Sequence, residues 1–168
     1  MTEDEIIVAE AYARVEATST EAVAVALRHV AVHEPFATAP DDTGERDLIQ
    51  FRQLAQYRLV DKGELLKMAE KNLARHVSRL QSYIVMYPHL SAVRVSVLAH
   101  VALAIGIKPV IECRDLWAAI ARQDWESAAD ELWLTKWPER AKDDGEKRRV
   151  LEMARMMRTG KEPEARVH

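Results

Sequence analysis

The chain has 168 residues, of which 48% are hydrophobic and 30% charged, so its composition supports one folded domain with a buried core and excludes an intrinsically disordered chain. Its formal net charge of −3 argues against non-specific nucleic-acid binding, which requires a basic surface. Its single cysteine, Cys113, excludes an internal disulfide, as is usual for a protein made in a reducing cytoplasm.

The amino-terminal part of the chain predicts two helices. Its first residues, MTEDEII, are acidic where a secretory signal peptide carries positive charge, so we expect no signal peptide. Residues 3–17 predict the first helix, which has a modest apolar face and serves either to cover the next helix or to bind a partner. A second helix is predicted over 20–34, with Ser19 as its N-cap and Pro35 as its end.

A loop and a further helix follow. Residues 34–47 hold two prolines and a glycine, which is typical of a loop. Residues 46–57 have apolar residues at helical spacing and predict a helix. A small hairpin within 35–60 is the alternative, although no residue pattern there requires one.

The longest apolar run of the chain, residues 92–107, predicts a buried helix. It contains Arg94 and His100, and it is short for a helix that spans a bilayer, so we expect no transmembrane segment and no membrane partner. Because the run is apolar on nearly all sides, burial in the core is the expected arrangement, with His100 as a hydrogen-bonded core histidine. Ser91 is the predicted cap of this helix, and Gly106 ends it.

The rest of the second half is also predicted to be helical. A helix over 61–82 begins with the capping pattern Asp61–Glu64. Three more helices are predicted over 110–121, from Asp124 to Trp137, and over 144–159 up to Gly160. With no convincing strand, repeat or low-complexity segment, the sequence predicts a mainly all-α fold of six to eight helices.

Residues 122–137 contain three of the four tryptophans. On a helix, the apolar residues of this stretch form one stripe that comprises Trp125, Ala128, Ala129, Leu132, Trp133 and either Lys136 or Trp137. We interpret this stripe as core packing, in which the alanines admit a neighbouring helix and the indoles fill space. The alternative is a platform on which a ligand stacks.

This stretch resembles the C-terminal lobe of phage-type (T4-like) lysozymes. The shared pattern is a tryptophan, D/E-x-A-A, a second tryptophan twelve residues after the first, and a closing helix that ends R-T-G. Gly106 stands nineteen residues before Trp125, as the equivalent glycine does in that family. SAVRVSVLAHVALAIG is similar to the family's long buried helix, and LVDKGELLKMAEKNLARHVSRL to its inter-lobe helix. The resemblance covers residues 59–161.

The resemblance implies a lysozyme-like helical domain. Residues 59–161 are then the helical lobe, residues 1–58 contain N-terminal helices and a divergent catalytic-lobe remnant, and 162–168 form a polar tail. The family's hairpin, with its T-I-G-x-G-H-like core, has no counterpart in this sequence. We therefore expect a reduced or absent β-hairpin lobe.

The resemblance also implies a muramidase that hydrolyses β-1,4 glycosidic bonds of peptidoglycan. Glu34 occupies the position of the catalytic acid, at the end of a helix whose dipole disfavours the carboxylate. Asp42 or Asp41 resembles the second carboxylate, and Thr43 the water-positioning threonine. From the residues alone, Glu34 is equally an ordinary polar residue at a helix end, and the two aspartates are turn-forming residues.

Other functions remain open. The alternative to an active enzyme is a catalytically inactive structural component of a phage particle, in a tail or baseplate, whose partners are other phage structural proteins. A module that binds peptidoglycan without cutting it is a third possibility. In each case we expect synthesis in the host cytoplasm, with association with the virion as one outcome. The sequence indicates no oligomeric state.

No cofactor or metal is expected. His29 and His33 are four residues apart on one predicted helix, but they lack the H-E-x-x-H order and a third ligand. Nucleotide-binding glycine motifs are absent from the sequence. The basic residues of the last helix predict a solvated face or a patch that meets anionic cell-wall polymer; they are Lys147, Arg148, Arg149, Arg155 and Arg158.

Overall fold

A computed structural model of the chain describes residues 1–33, 62–133 and 144–163, with the side chains of 1–30, 63–133 and 147–163. These residues form seven helices, with no strand among them: α1 (Glu3–His33), α2 (Lys62–Met86), α3 (Ala92–Ile105), α4 (Ile107–Ile111), α5 (Arg114–Ala121), α6 (Trp125–Trp133) and α7 (Asp144–Thr159). The predicted all-α fold class is confirmed.

Four predicted features lie outside the described residues. They are the loop 34–47, the helix 46–57, the cap Asp61 and the end of the tryptophan-rich helix at Trp137.

The centre of the fold is α3. It contacts α1, α2, α4 and α7, and every residue from Val95 to Leu103 is buried. The Ser91 hydroxyl accepts the backbone N–H of Arg94 at 3.3 Å, and Gly106, with φ +92°, closes the other end. The predicted buried helix is therefore confirmed, together with both of its caps.

Residues Glu3–His33 form one long helix, so the prediction of two helices separated at Ser19 is wrong. The Ser19 hydroxyl donates to the carbonyl oxygen of Val15, a bond that a serine makes inside a helix without ending it. The cap is instead at Thr2, whose hydroxyl accepts the N–H of Glu5 at 3.2 Å while its own N–H donates to the Glu5 carboxylate at 2.7 Å. The apolar stripe crosses the predicted break and packs on α2 and α3 through Val15, Ala22, Val25, Ala26 and Val30.

Helix α2 is one turn longer than predicted because its apolar spacing continues past Ser82. Ile84 is fully buried, and Tyr83 packs against the core. Pro88 then marks the turn that separates α2 from α3, as expected. The core face of α2 has the alternating three- and four-residue spacing of an amphipathic helix, through Leu65, Ala69, Leu73, Val77, Leu80 and Ile84.

The predicted helix 110–121 is in fact two helices, α4 and α5, and Trp117 explains the break. Its indole N–H donates to the carbonyl oxygen of Val110 at 3.0 Å, the acceptor that Arg114 would use in a continuous helix. Trp117 is buried and stacks on Tyr83, with ring centroids 4.0 Å apart. Of the three tryptophans among the described residues, the buried one thus lies outside the 122–137 stretch.

Helix α6 confirms part of the predicted tryptophan-rich stripe. Asp124 caps it, because its carboxylate accepts hydrogen bonds from the side chain and backbone of Ser127, which lower the pKa of Asp124. Three stripe residues are buried: Ala128, Ala129 and Leu132. Trp133, in contrast, is 40% exposed, so the prediction that it packs in the core is wrong.

Arg94 joins three helices at one point. Its Nε donates to the Met157 carbonyl at 2.7 Å, and its Nη2 donates to the Arg158 carbonyl at 3.1 Å. Its guanidinium lies 3.7 Å above the centre of the Trp125 ring, a cation–π contact. Gly160 ends α7 with φ +69°, and a Cβ there would lie 3.0 Å from the guanidinium carbon. The closing R-T-G therefore packs directly on Arg94.

Candidate functional site

The four residues that the sequence places in a glycosidase site lie outside the described residues. They are Glu34, Asp41, Asp42 and Thr43. The described residues do include the helix that precedes them, since α1 ends at His33, immediately before Glu34. The candidate site is therefore characterised by what surrounds the carboxyl end of α1.

A charged cluster holds this end of α1 against α7 and the segment that follows it. His29 Nδ1 lies 3.4 Å from Glu152 Oε1, and His29 Nε2 lies 3.2 Å from Glu162 Oε1. Arg28 Nη2 donates to both oxygens of Glu162, at 3.1 and 3.0 Å. We call these four residues the His29 cluster. Its members Arg28 and His29 lie within the last two turns of α1, close in sequence to Glu34.

Within the His29 cluster, the contacts with Arg28 and His29 change the pKa of Glu162. Burial on its own would raise the pKa of this carboxyl, but hydrogen bonds and positive charge from Arg28 and His29 outweigh burial and lower it. A carboxyl whose pKa is lower in the folded chain stabilises the fold above its unfolded pKa. That stabilisation disappears as the pH falls through the folded pKa.

We therefore expect Glu162→Gln to lower the free energy of unfolding at pH 7 by about 0.5–1 kcal/mol, the size of a partly exposed ion pair. The difference from wild type should shrink as the pH falls from the pKa of an unperturbed glutamate through the lower folded pKa of Glu162, because below the folded pKa both proteins are uncharged at this position. Urea unfolding at several pH values measures it. Glu16→Gln, an exposed position on α1, is the control, and an equal loss in both variants would contradict the prediction.

Arg149 is a buried cation on the face of α7 that carries Glu152. It is only 3% exposed and lies one turn before Glu152, hence on the same helix face. The prediction that all the basic residues of the last helix face solvent is therefore wrong for Arg149. Arg158 is exposed but paired, since its Nε donates to Glu126 at 2.9 Å. Of the predicted basic face, Lys147, Arg148 and Arg155 remain exposed.

Two grooves open near the His29 cluster. One, of about 540 Å³, runs along the outer face of α7 and the residues after it, and its lining includes Arg148, Arg155 and Lys161. We call it the α7 groove. The other, of about 660 Å³, lies between α1 and α2 and is mostly apolar, with Val23 and Leu27 in its lining. Neither lining contains an arrangement of nucleophile and base.

A separate group of titratable side chains lies at α5 and α6. Burial, followed by the negative charges of Asp115 and Asp130, raises the pKa of Glu131. Burial is also the largest cause of the raised pKa of the Cys113 thiol, which makes this thiol a poor nucleophile at neutral pH. Since neither Glu131 nor Cys113 lines the grooves described above, this group is not part of the candidate site.

The described residues contain neither a group of metal-ligating side chains nor a membrane-spanning helix. In that part of the chain, no three or more His, Cys, Asp or Glu side chains are grouped so that they could hold a metal ion. Both ring nitrogens of His29 face carboxylates, and the side chain of His33 is outside the described set. None of the described helices combines the length and the apolar character needed to cross a membrane.

Sequence reasoning missed the His29 cluster. His29 and Glu162 are 133 residues apart, and His29 was considered only as half of a possible metal-binding pair. No local pattern marks Glu152 or Glu162 as its partners. Only the tertiary fold, which places both helices against α3, brings these side chains together.

In comparisons with known proteins, no family model matches the chain, and no curated protein or solved structure matches it. Its function is therefore inferred from the chemistry of its own residues. The motif resemblance described above supplies the second line of argument.

Proposed function

We propose that the chain is a phage-type, lysozyme-like muramidase that hydrolyses β-1,4 glycosidic bonds of peptidoglycan, with Glu34 as the general acid. One observation carries the proposal. Helix α1 runs without a break to His33, and the His29 cluster holds its last turns against α7. Glu34 thus follows the carboxyl end of a long helix that is anchored on the helical lobe.

This position suits an acid that must keep its proton until the glycosidic oxygen accepts it. The carboxyl end of a helix carries partial negative charge, which disfavours a carboxylate. Anchoring matters as much as charge, because proton transfer requires the acid to be held within hydrogen-bond distance of the oxygen. In this proposal, Asp41 or Asp42 supplies the second carboxylate and Thr43 positions water.

The helical lobe supports the proposal through the order of its elements. The four segments that resemble the lysozyme family are helices α2, α3, α6 and α7, in the order the resemblance implies. The central one, α3, is buried. The R-T-G end of the last helix packs on Arg94, which α3 itself supplies. Separate motifs of the resemblance therefore meet at one point in the fold.

Clearing of a peptidoglycan suspension tests the proposal. We expect the wild-type protein to reduce the turbidity, and Glu34→Gln to slow clearing by about 10²–10⁴-fold, the usual contribution of a general acid. Glu21→Gln, at an exposed position of the same helix, should clear at the wild-type rate. Asp41→Asn and Asp42→Asn, made separately, identify which aspartate assists.

Two results would overturn the assignment. Clearing that survives in Glu34→Gln removes this residue from the mechanism. Absence of clearing by folded wild-type protein overturns the enzyme and favours the second candidate, an inactive structural component of a phage particle. The exposed apolar start of α1 favours that candidate, because a surface of this kind is typical of a protein that binds another protein.

A further inference from the structure

Residues 1–13 precede Val15, the first core residue of α1, and we call them the N-terminal arm. Every residue from 1 to 10 is exposed. The exposed set includes large apolar side chains, with Val8 at 56% and Tyr12 at 77% exposure. Such a cluster on a projecting helix is unusual for a monomeric protein and marks an interaction surface.

The arm continues the same apolar stripe that packs in the core further along α1. Val8 precedes Val15 by seven residues, or two turns, so both lie on one face of the helix. Val15 is buried, whereas Val8 is 56% exposed. The end of α2 lies beside this point, because Arg14 Nη1 donates to the Ile84 carbonyl at 3.4 Å. The exposed Val85 and Met86 extend the apolar surface there.

The charge of the arm restricts what can cover it. Its acidic residues are Glu3, Asp4, Glu5 and Glu10, and none of them forms an ion pair with another described residue, whereas Arg14 follows only at its end. Two arms side by side would bring these carboxylates together, and like charges repel at close range. The expected occupant is therefore both apolar and basic.

The α7 groove has these properties. Three cations line it, Arg148, Arg155 and Lys161, and the half-exposed Leu151 and the exposed Pro163 add apolar surface. No ion pair is described for any of the three cations. The two carboxylates of the lining, Glu162 and Glu152, belong to the His29 cluster and already contact Arg28 and His29. The groove thus presents unpaired positive charge beside an apolar wall.

The arm cannot reach the α7 groove of its own chain. The groove adjoins His29 through Glu152 and Glu162. Twenty-one residues separate Val8 from His29, which is about 32 Å along a helix. Because α1 is one continuous helix, the arm and the groove lie at opposite ends of a rigid rod. Only a second molecule brings an arm to a groove.

We propose that the N-terminal arm of one copy docks in the α7 groove of a second copy. The two surfaces are different, so the contact is heterologous and repeats head to tail into a chain or a ring. Acidic groups on the arm meet the groove cations, and Val8 and Tyr12 meet Leu151 and Pro163. A single short helix buries a small area, and the association is correspondingly weak and concentration-dependent. This inference goes beyond the proposed muramidase activity and does not depend on it.

The test uses two full-length variants that each lose one surface. Val8→Gln/Tyr12→Gln removes the apolar face of the arm and keeps a good helix former at both positions. Arg148→Glu/Arg155→Glu reverses charge in the groove. All four positions are exposed, so both variants should keep the wild-type circular dichroism spectrum. Lys108→Glu/Arg122→Glu changes charge equally at exposed positions away from both surfaces and is the matched control.

Sedimentation equilibrium supplies the readout. We expect the mass of the wild type and of the control to rise with concentration above the 19.1 kDa monomer. Each surface variant should stay a monomer. An equimolar mixture of the two variants should form dimers and nothing larger, because one variant retains an arm and the other a groove. Added salt should weaken the association, since it screens the charges.

Three results would overturn the proposal. A monomeric wild type at all concentrations means that the arm serves another protein. If only the arm variant is monomeric, the arm docks elsewhere than in the groove. If the mixture stays monomeric, the two surfaces are not partners. The clearing assay is separate from all three, so failure of this interface and failure of the muramidase proposal are distinguishable.

Discussion

Leu98→Ala is expected to lower the free energy of unfolding by about 3–5 kcal/mol, the range for a fully buried leucine whose cavity does not collapse. Leu98 is 0% exposed and lies in the middle of α3, the helix that contacts α1, α2, α4 and α7. Helices on several sides keep the cavity open, which places the loss at the upper end. Urea unfolding followed by circular dichroism measures it.

Leu151→Ala is the matched control for this prediction. Leu151 is 50% exposed on the outer face of α7, so the same truncation removes little buried surface and should change stability by less than about 0.5 kcal/mol. Both proteins are measured at a concentration at which the chain is a monomer. Similar losses in the two variants would contradict the central position of α3.

Arg94→Ala is expected to lower the free energy of unfolding by about 2–4 kcal/mol, because it removes two charge-assisted hydrogen bonds and a cation–π contact together. The Met157 and Arg158 carbonyls then lose their donor at the carboxyl end of α7. Burial lowers the pKa of Arg94, but an arginine stays charged at neutral pH. The thermal midpoint and the urea midpoint should fall together.

Two further variants show whether geometry or charge accounts for this loss. Arg94→Lys keeps the charge, but an ammonium group cannot reproduce the planar fork that reaches two carbonyls and covers Trp125, so it should recover only part of the stability. Arg158→Ala breaks one exposed pair with Glu126 and should cost less than about 1 kcal/mol. If Arg94→Ala loses no more stability than Arg158→Ala, the contacts of Arg94 with α7 and Trp125 contribute no more than one exposed ion pair, which would contradict the prediction.

The boundaries of several helices were predictable because their signals are local. Ser91, Gly106 and Gly160 each act through backbone groups a few residues away, and such signals are visible in a linear sequence. The prediction of a cap at Ser19 was wrong because the local signal of a serine is ambiguous. A serine is compatible with both a cap and a helix interior, and the packing of Val15 on the core favours the interior.

The tryptophans show where periodicity stops being informative. The spacing of Trp133 places it on the apolar stripe of α6, but the spacing alone does not show how far the neighbouring helices extend over that stripe. Trp117 is buried on one face of α5 with Leu116 and Ile120, but its stacking on Tyr83, from a different helix, is not visible in that spacing. Arg149 is similar, because a basic residue among basic neighbours gives no indication that it is buried.

The candidate site also has one part that the sequence indicates and one part that only the fold brings together. The proposed role of Glu34 rests on its place at the end of the predicted helix 20–34 and on a family resemblance, and α1 of the structure extends to His33. The His29 cluster could not be predicted from the sequence, since Arg28 and His29 are more than a hundred positions from their partner Glu162.

What the sequence determined by itself is the helical character of the chain, the buried nature of α3 and the caps that limit it. These properties depend on residues within about four positions of one another, where spacing and turn chemistry act directly. The tertiary structure alone decided that α1 is continuous, that Arg94 joins three helices and that His29 meets Glu162. Each of these follows from which helix faces lie together, and that depends on the packing of the whole core at once.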